Sequence, residues 1–282
     1  MVDNTSPEMR VADVADANTG GSELRIFYTN IRSLNNDHFN ELCLYLKEEE
    51  GIDVIALSET WIGTEQRKYF KISGYRSFIQ PRGAGRRSVG IVLYVKEHLI
   101  VRNITKTNLV TANLMEIELL TYNVTNNKTT TITYFDTGVS RDSTSSRRKF
   151  TYELQQILTT TKGNAILLGD ININILNSFE AAEYLDMIQM EGFSIDHEKP
   201  TRGLSCLDQV MLTSDCVQTE VELHKLRITD HAMIKIQVSL PPEMGKFMIL
   251  KFKFIPVQFM TLKVQFSFIK FKFAKTMFKF RT

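Results

Sequence analysis

Apolar residues along this chain fall into short runs of strand length, separated by a few stretches with helical spacing. Apolar residues three or four positions apart predict helices at 38–50, 144–161 and 178–192. Runs rich in β-branched and aromatic residues predict strands, namely LRIFYTN (24–30), IDVIALSET (52–60), SVGIVLYVK (88–96), NLMEIELLTYN (113–123), TTTITYF (129–135), AILLGD (165–170), CLDQVMLT, QTEVELHKL and AMIKIQVSL. Because many strands accompany few helices without strict alternation, the pattern predicts an α+β sandwich and not a doubly wound parallel sheet.

Polar residues recur where these strands begin or end. In AILLGDININI (165–175) an apolar run ends in a carboxylate, which is followed two residues later by a carboxamide. The full set of polar residues at strand ends is Asn30, Glu59, Tyr134, Asp170, Asn172, Asp208, Asp230 and His231. Each has a structural alternative, such as a turn cap or a half-buried core tyrosine. Together they predict one site, since strand ends at one edge of a sandwich converge, and oxygen ligands with one histidine suit a hard cation and a phosphate.

Composition sets broad limits on the class of protein. The chain has 282 residues, 43% of them hydrophobic and 23% charged, which is enough for one large globular domain or two small ones. Cys43, Cys206 and Cys216 are too few for a disulfide framework and lack paired metal-binding spacing, which favours an intracellular setting. Residues 1–22 are polar and small, without the apolar core of a signal peptide, and we expect a disordered leader.

The net charge of +2 conceals an asymmetry between the body and the end of the chain. Residues 246–282 carry nine Lys/Arg and no Asp/Glu, so residues 1–245 carry 2 − 9 = −7. The uncharged run FIPVQFMTL is much shorter than the ~20 residues that span a membrane. The Lys/Phe repeats either form an arm for nucleic acid or an anionic membrane surface, or lie outside the fold. We expect the second, with one domain at 23–242 and a basic tail at 243–282.

The order of motifs resembles the endonuclease/exonuclease/phosphatase, or DNase I-like, superfamily, and within it the endonuclease domain of non-LTR retrotransposons. The matching segments are NIRSLNN, LSETW, VGIVLYVK, LLGDININ (similar to a GDFN motif), KPTRGLSCLDQVMLT and ITDHAMI (similar to a terminal SDH motif). They run in order from about residue 24 to 240. Six ordered motifs make a specific signal, whereas any one alone is weak.

This resemblance implies a four-layered α/β/β/α sandwich of two mostly antiparallel sheets, and phosphodiester cleavage with Mg²⁺, or Mn²⁺ in its place. The implied metal ligands are Glu59, Asn30 and Asp230. Asp170 would deprotonate the attacking water, Asn172 would hold a phosphate oxygen, and Tyr134 would donate to the phosphate. His231, held by Asp208, would stabilise charge in the transition state. The resemblance also places Thr201 near this edge as a substrate contact. Separately, the basic stretches PRGAGRRS and SRDSTSSRRK offer Arg86, Arg87 and Arg147 as candidate phosphate contacts, with solvated loops as the alternative.

Some positions depart from the family pattern. Tyr134 is followed by FDTGVS, where relatives continue into a proline-containing loop. Arg32 stands where some relatives have a small or acidic residue, and Thr229 replaces the serine of the terminal motif. None of these changes removes an implied catalytic group.

The functional expectation is a monomeric nuclease that nicks DNA without an attached reverse transcriptase. Its site of action would be intracellular, and nuclear if genomic DNA is the substrate. The alternatives are a relic or binding module of the same fold, and a phosphatase of the same superfamily. The phosphatase alternative shares the implied catalytic residues, whereas KPTRGLSCLDQV resembles the endonuclease branch.

Overall fold

A computed structural model describes most of the body of the chain. The described residues are 23–49, 51–81, 89–123, 126–137, 144–161, 165–213 and 219–239, with the backbone alone for 120–123, 126–137, 144–146 and 239. They all belong to the first of two units into which the chain divides, Met1–Phe252 and Lys253–Thr282. The expected leader (1–22) and basic tail (243–282) lie outside the described residues, so those two expectations stay predictions.

Strands of the described chain form two six-stranded sheets. Sheet A has the order β11-β12-β1-β2-β4-β3 and sheet B the order β5-β6-β7-β8-β10-β9. The strands are β1 Glu23–Asn30, β2 Val54–Ser58, β3 Tyr75–Gln80, β4 Ile91–Lys96, β5 Ile100–Asn108, β6 Ala112–Asn123, β7 Asn126–Thr137, β8 Ala165–Asp170, β9 Phe193–Ile195, β10 Asp208–Thr213, β11 Thr219–Lys225 and β12 Ala232–Ser239. Each sheet contains one parallel pair, β1 with β2 and β7 with β8. The remaining pairs are antiparallel, as expected.

Within the described residues, three helices cover the outer faces of the two sheets: α1 Asn36–Glu48, α2 Thr144–Thr160 and α3 Ser178–Met190. A short 3₁₀ helix spans Thr64–Lys68. None of the helices in the described ranges is long and apolar enough to cross a membrane.

Hydrophobic cores separate the four layers. The central core, which includes Ile26, Ala56 and Leu168, fills the space between the two sheets. A second core joins sheet B to α2 and α3, and a third joins sheet A to α1. Because side chains alternate across a strand, each central strand contributes one row of residues to the inter-sheet core and the other row to a helix-covered core. The expected α/β/β/α sandwich is therefore confirmed.

Local sequence explains where α1 begins and which face it buries. The side chain of Asn35 accepts a hydrogen bond from the backbone N–H of His38 (2.9 Å), which caps the first turn. Phe39, Leu42 and Leu46 recur at spacings of three and four and contribute to the core against sheet A. The predicted helices at 38–50, 144–161 and 178–192 agree with the observed bounds to within two residues.

The sequence pattern did not predict β3, β5 or β9. All three are edge strands, β3 in sheet A and β5 and β9 in sheet B. Each is partly exposed and carries polar residues among its apolar ones, so none has a continuous apolar run. An edge strand is stabilised by a single neighbouring strand and half-buried side chains, which leaves a weak hydrophobic signal.

Glu116 is a buried carboxylic acid in β6. At 4% exposure it follows Ala112 and Leu114 at two-residue spacing on the helix-covered face of sheet B. Neither of its carboxylate oxygens has a hydrogen-bond partner among the described residues. Burial, with a smaller contribution from the charge of Glu118, raises the pKa of Glu116 to about 8. Glu116 is therefore protonated at neutral pH, because the charged form would be buried without a partner.

We expect Glu116→Gln to remove a pH dependence of stability. The folded-state pKa of about 8 exceeds the unfolded value of ~4.3, so between these two values the folded protein holds one more proton than the unfolded chain. Wild-type stability should therefore fall with rising pH, by ~1.4 kcal/mol per pH unit for one such proton, and level off above the folded-state pKa. Glutamine stays neutral, so the variant should lose this slope and be the more stable protein at alkaline pH.

Chemical denaturation at a series of pH values measures this difference. Glu183→Gln is the matched control, since Glu183 is at an exposed position of α3, away from Glu116. The protonated state assigned to Glu116 is wrong if Glu116→Gln and wild type lose stability in parallel as the pH rises.

Candidate active site

The candidate site lies where the inter-sheet core reaches the carboxyl ends of the two parallel strand pairs. On β1 the residues Leu24, Ile26 and Tyr28 face the inter-sheet core, and two-residue spacing places Asn30 on that same face. On β8 the same spacing places Asp170 after Ile166 and Leu168. Each row of apolar residues thus ends in a buried polar side chain, with Asn30 0% and Asp170 2% exposed.

The Asn30 side chain joins the two sheets at this edge. Its Nδ2 donates to Asp170 Oδ2 of sheet B (2.9 Å) and to Glu59 Oε1, just beyond β2 of sheet A (3.0 Å). Its Oδ1 accepts the backbone N–H of Arg32 (3.1 Å). One amide therefore orients two carboxylates that are 111 residues apart in sequence.

Backbone strain occurs at two of the predicted site residues. Glu59 has φ +48° and Asn172 has φ +56°, both in the left-handed region that side chains other than glycine rarely adopt. Asparagine tolerates this region better than most residues, and the backbone N–H of Asn172 donates to Asp170 Oδ1 (3.1 Å). Such conformations cost about 1–3 kcal/mol each and cluster at functional sites. The strain at Glu59, a residue type without that tolerance, is consistent with a functional role.

Asp208 and His231 form a buried pair, 0% and 2% exposed. Asp208 lies directly opposite Asp170 in the β8–β10 ladder. His231 Nδ1 donates to Asp208 Oδ2 (2.7 Å), which leaves Nε2 directed towards the site, 4.0 Å from Asp170 Oδ2. The aspartate therefore fixes the orientation of the imidazole ring, and holds it in the form with a proton on Nδ1.

The pKa values of Asp170 and His231 are shifted in ways that suit proton transfer. Burial, followed by the negative charge of Asp208, raises the pKa of Asp170 well above its usual range. Burial alone would lower the pKa of His231, but its hydrogen bond to Asp208 and the charges of Asp208 and Asp170 outweigh burial and raise it. Asp170 is thus a stronger base than an ordinary aspartate, and His231 holds its proton more tightly than an ordinary histidine.

Supporting contacts around Asp208 include residues that the sequence pattern did not identify. The Tyr28 hydroxyl donates to Asp208 Oδ1 (3.3 Å) and lies 2.9 Å from Ser58 Oγ. The predicted substrate residue Thr201 is 2% exposed, and its Oγ1 accepts the backbone N–H groups of Leu207 and Asp208 (both 3.0 Å). Thr201 therefore holds the start of β10 in place. Tyr28 could have been identified from the sequence, because it lies two residues before Asn30 on β1 and so faces the same side of the strand.

Asp230 lies next to His231 but is engaged by two arginines. Arg32 Nη1 contacts both carboxylate oxygens of Asp230 (3.0 and 3.1 Å), and Arg202 Nε donates to Oδ2 (2.6 Å). Burial opposes ionisation of Asp230, but the hydrogen bonds and charges of Arg32 and Arg202 prevail and lower its pKa. Asp230 is therefore an anion held by two cations, and its expected role as a metal ligand stays a prediction.

The remaining predicted residues are placed to different degrees. Tyr134 lies in β7, in register with Leu168 of β8, one strand away from the site residue Asp170. Arg147 is in the first turn of α2 and pairs with Glu180 of α3 (3.4 Å). Arg86 and Arg87 fall outside the described residues. The substrate-binding roles of these arginines stay predictions.

The donor set fits a divalent cation. Asp170, Asp208 and His231 place one ligand atom each within 4.8 Å of one another. Glu59 shares the Asn30 amide with Asp170, so three carboxylates meet one histidine in a largely buried space. Carboxylate and carboxamide oxygens are the ligands that Mg²⁺ and Mn²⁺ prefer. Glu59 and Asn30 would hold such an ion beside Asp170, and its charge would offset the repulsion between the carboxylates.

We expect Asp170→Asn to raise the melting temperature of the metal-free protein. The folded-state pKa of Asp170 is raised, so its stability contribution falls as the pH rises above the unfolded value of ~3.9 and is at its lowest once the folded group has ionised. Asparagine keeps the shape and can keep the Asn30 contact without the charge. Mg²⁺ should stabilise wild type by binding the folded state alone, and stabilise the variant less.

Thermal melts at mildly alkaline pH, in EDTA and in Mg²⁺, measure both effects. Asp186→Asn, at an exposed position of α3, is the matched control and should leave both melting temperatures unchanged. A lower melting temperature for Asp170→Asn in EDTA would show that the carboxylate stabilises the metal-free protein, which is the opposite of the expected result.

Comparisons with known proteins agree with the fold. Three solved structures are similar over most of the chain: an AP endonuclease, LMAP, from Leishmania major (14% identity, 84% of this chain and 93% of that chain, TM-score 0.59); D. rerio TDP2 in complex with a single-stranded DNA product (15%, 78% and 100%, 0.57); and the endonuclease domain of TRAS1, a telomere-specific non-LTR retrotransposon (14%, 77% and 99%, 0.52). No curated protein sequence matches at a significant level.

One family model matches the body of the chain as far as His231. It matches residues 18–231 and describes the endonuclease/exonuclease/phosphatase family. The match covers well over half of the chain, and it includes Asn30, Glu59, Asp170, Asp208 and His231. With the four-layered sandwich and the buried polar edge, it shows that this chain belongs to the endonuclease/exonuclease/phosphatase family.

Proposed function

We propose that this protein nicks DNA by hydrolysing a phosphodiester bond with the help of a divalent cation, Mg²⁺ or Mn²⁺. The observation that carries the proposal is the convergence, at one edge of the sandwich, of a buried carboxylate of raised pKa with an aspartate-held histidine. Asp170 Oδ2 lies 4.0 Å from His231 Nε2. A base and a proton donor side by side at one edge suit an attack on a phosphate that is bound against both of them.

Asp170 is the candidate general base. A base is most effective when its pKa lies near the working pH, and burial beside Asp208 moves the pKa of Asp170 in that direction. Its two oxygens are fixed by hydrogen bonds from the Asn30 side chain and the Asn172 backbone. Asp170 would accept a proton from the attacking water, and Asn172, in the adjoining turn, would bind a phosphate oxygen.

His231 is the candidate group for stabilising negative charge on the reacting phosphate. Asp208 holds the Nδ1 side of the ring at 2.7 Å, so Nε2 is the atom that faces the substrate. The raised pKa keeps a proton on Nε2 over a wider pH range than in free histidine. A fixed donor aimed at developing charge typically contributes ~10²–10³ in rate.

A bound divalent cation would supply Lewis-acid polarisation of the phosphate. Glu59 and Asn30 are the residues we assign to its binding, beside Asp170. Glu59 is half-buried, and its backbone strain fixes its position at the edge of the site.

DNA is the substrate class that we assign, with support from three of the similar structures. An AP endonuclease, a retrotransposon endonuclease domain and a protein in complex with a single-stranded DNA product share this fold. Phosphate contacts from arginine and lysine would supply affinity without sequence preference. A nuclear site of action and a monomeric state are the corresponding expectations for an enzyme acting on genomic DNA.

The full-length chain should convert supercoiled plasmid to open circles in Mg²⁺ and should stop in EDTA. Asp170→Ala and His231→Ala should each slow nicking by about 10²–10³, because each removes a group that acts in the transition state. Gel quantification of the open-circle product measures the rate. Asp186→Ala, at an exposed position of α3, controls for preparation and folding.

Two further assays separate the alternatives. Nicking that continues undiminished in EDTA would contradict the metal-assisted mechanism. Hydrolysis of a phosphomonoester such as p-nitrophenyl phosphate, with no nicking, would assign the site to a phosphatase. Absence of both activities in a folded protein would identify a relic or a binding module.

A further inference from the structure

The ion cluster at the mouth of the site consists of Asp230, Arg32 and Arg202. It contains one more positive charge than is needed to neutralise the carboxylate of Asp230. Two guanidiniums contact one carboxylate, which leaves a formal charge of +1. Carboxylates dominate the adjoining interior, where Glu59, Asp170 and Asp208 meet a single histidine. The cluster is therefore a local positive feature at the entrance to an acidic site.

Both arginines are fixed by residues of the site itself. Arg32 is two residues beyond Asn30, adopts φ +46°, and donates its backbone N–H to Asn30 Oδ1 (3.1 Å). Arg202 follows Thr201 and is held in a tight turn by paired backbone hydrogen bonds with Ser205 (both 2.9 Å). The two guanidiniums come from residues 198 and 28 positions away from Asp230 in sequence. The fold thus brings two guanidiniums from distant parts of the chain onto one carboxylate.

The cluster keeps donors that can bind a further anion. Each guanidinium carries five N–H donors. In its contacts with Asp230, Arg32 uses Nη1 only, and Arg202 uses Nε and one terminal nitrogen. The side chains are 43% exposed for Arg32 and 28% for Arg202. A solvent-exposed ion pair contributes only ~0–1 kcal/mol to stability, so stability alone does not explain two ordered arginines here.

Distances place the cluster within reach of the group that would face the reacting phosphate. Asp230 Oδ1 is 4.0 Å from His231 Nε2 and 3.0 Å from Arg32 Nη1. Because both distances end on the same oxygen, Arg32 Nη1 lies no more than 7.0 Å from His231 Nε2. A phosphodiester chain that passes His231 would therefore also pass the two guanidiniums.

We propose that Arg32 and Arg202 form a phosphate-binding site for the backbone of the nucleic acid strand being cut, with Asp230 as the positioning residue that holds the two guanidiniums. This inference rests on the proposed function for its ligand, a phosphodiester backbone. Planar guanidiniums match phosphate oxygens in fork geometry, and the contact carries no base preference. It assigns substrate binding to residues of the catalytic edge itself.

In a rival hypothesis, Asp230 is a ligand of the divalent cation. The two arginines then only neutralise its carboxylate and do not contact the nucleic acid. The two hypotheses differ in what the arginines do without any cation. The phosphate-binding site should act in EDTA, whereas arginines that only occupy Asp230 would add nothing to DNA binding there.

Fluorescence anisotropy with a labelled DNA duplex in EDTA, at several salt concentrations, tests the proposal on the full-length chain. Each neutralised phosphate contributes ~0.9 to the slope of log K against log salt. Arg32→Gln and Arg202→Gln should each weaken binding, and the double variant, which loses the one phosphate contact, should reduce that slope by ~0.9. Arg202→Lys, which keeps the charge and loses the fork, should keep the slope and bind more weakly than wild type. The basic tail is present in every variant, so its contribution cancels.

Arg102→Gln is the matched control. Arg102 lies in β5, at the end of sheet B away from the site, about six residues or ~20 Å along the strand from the row that contains Asp170. Variants whose affinity and salt slope match those of Arg102→Gln would overturn the proposal. Tighter Mn²⁺ binding by the double arginine variant, with unchanged DNA binding, would also overturn it and favour the rival hypothesis.

The outcome is independent of catalysis. If wild type nicks DNA and the arginine variants bind it normally, the phosphate-binding site is wrong while the proposed function stands. If the variants lose DNA affinity and salt slope but wild type does not nick, the phosphate-binding site stands and the proposed function fails.

Discussion

The Asn30 side chain bridges the two sheets at the edge where the polar groups of the site meet. Asn30 Nδ2 donates to Glu59 at the end of one sheet and to Asp170 at the end of the other. Its NH2 group has two N–H donors, one for each carboxylate. Without this link, two acids would lie close together with no fixed relation to each other. The inter-sheet core holds the carboxylates in place against their repulsion, and their position in turn would define the proposed cation site.

The conformations and charges at this edge reduce the stability of the fold locally, as is common at functional sites. Glu59 and Asn172 adopt left-handed backbone conformations, and Asp170 and Asp208 face each other in adjacent strands. A sequence selected for stability alone would place apolar residues at these strand ends, as it does throughout the rest of the inter-sheet core. The surrounding central strands, which are buried on both faces, supply the rigidity that keeps such an arrangement ordered.

Sequence reasoning predicted the parts of the molecule that depend on local pattern. Central strands such as β1 and β8 carry continuous apolar runs, and their polar ends marked Asn30 and Asp170 as site residues. Three of the four edge strands, β3, β5 and β9, were missed because each pairs with a single strand and lacks a continuous apolar run. Ion pairs were the hardest contacts to predict from the sequence. No pattern indicated that Arg32 and Arg202 hold the carboxylate of Asp230, and the pairing with Arg32 spans 198 residues. The packing of separate elements decides which charged side chains form ion pairs. Periodicity along the chain carries no information about those pairs.

The two sheets repeat one path of the chain. In each, a parallel pair joined through a helix is followed by an antiparallel strand beside its second member, with an edge strand beyond: β1-β2-β4-β3 in one sheet and β7-β8-β10-β9 in the other. Asn30 and Glu59 come from the first copy, and Asp170 from the second. The polar groups thus meet between two copies of the same strand path. Neither copy holds the whole set, so the set is complete only where the two sheets face each other.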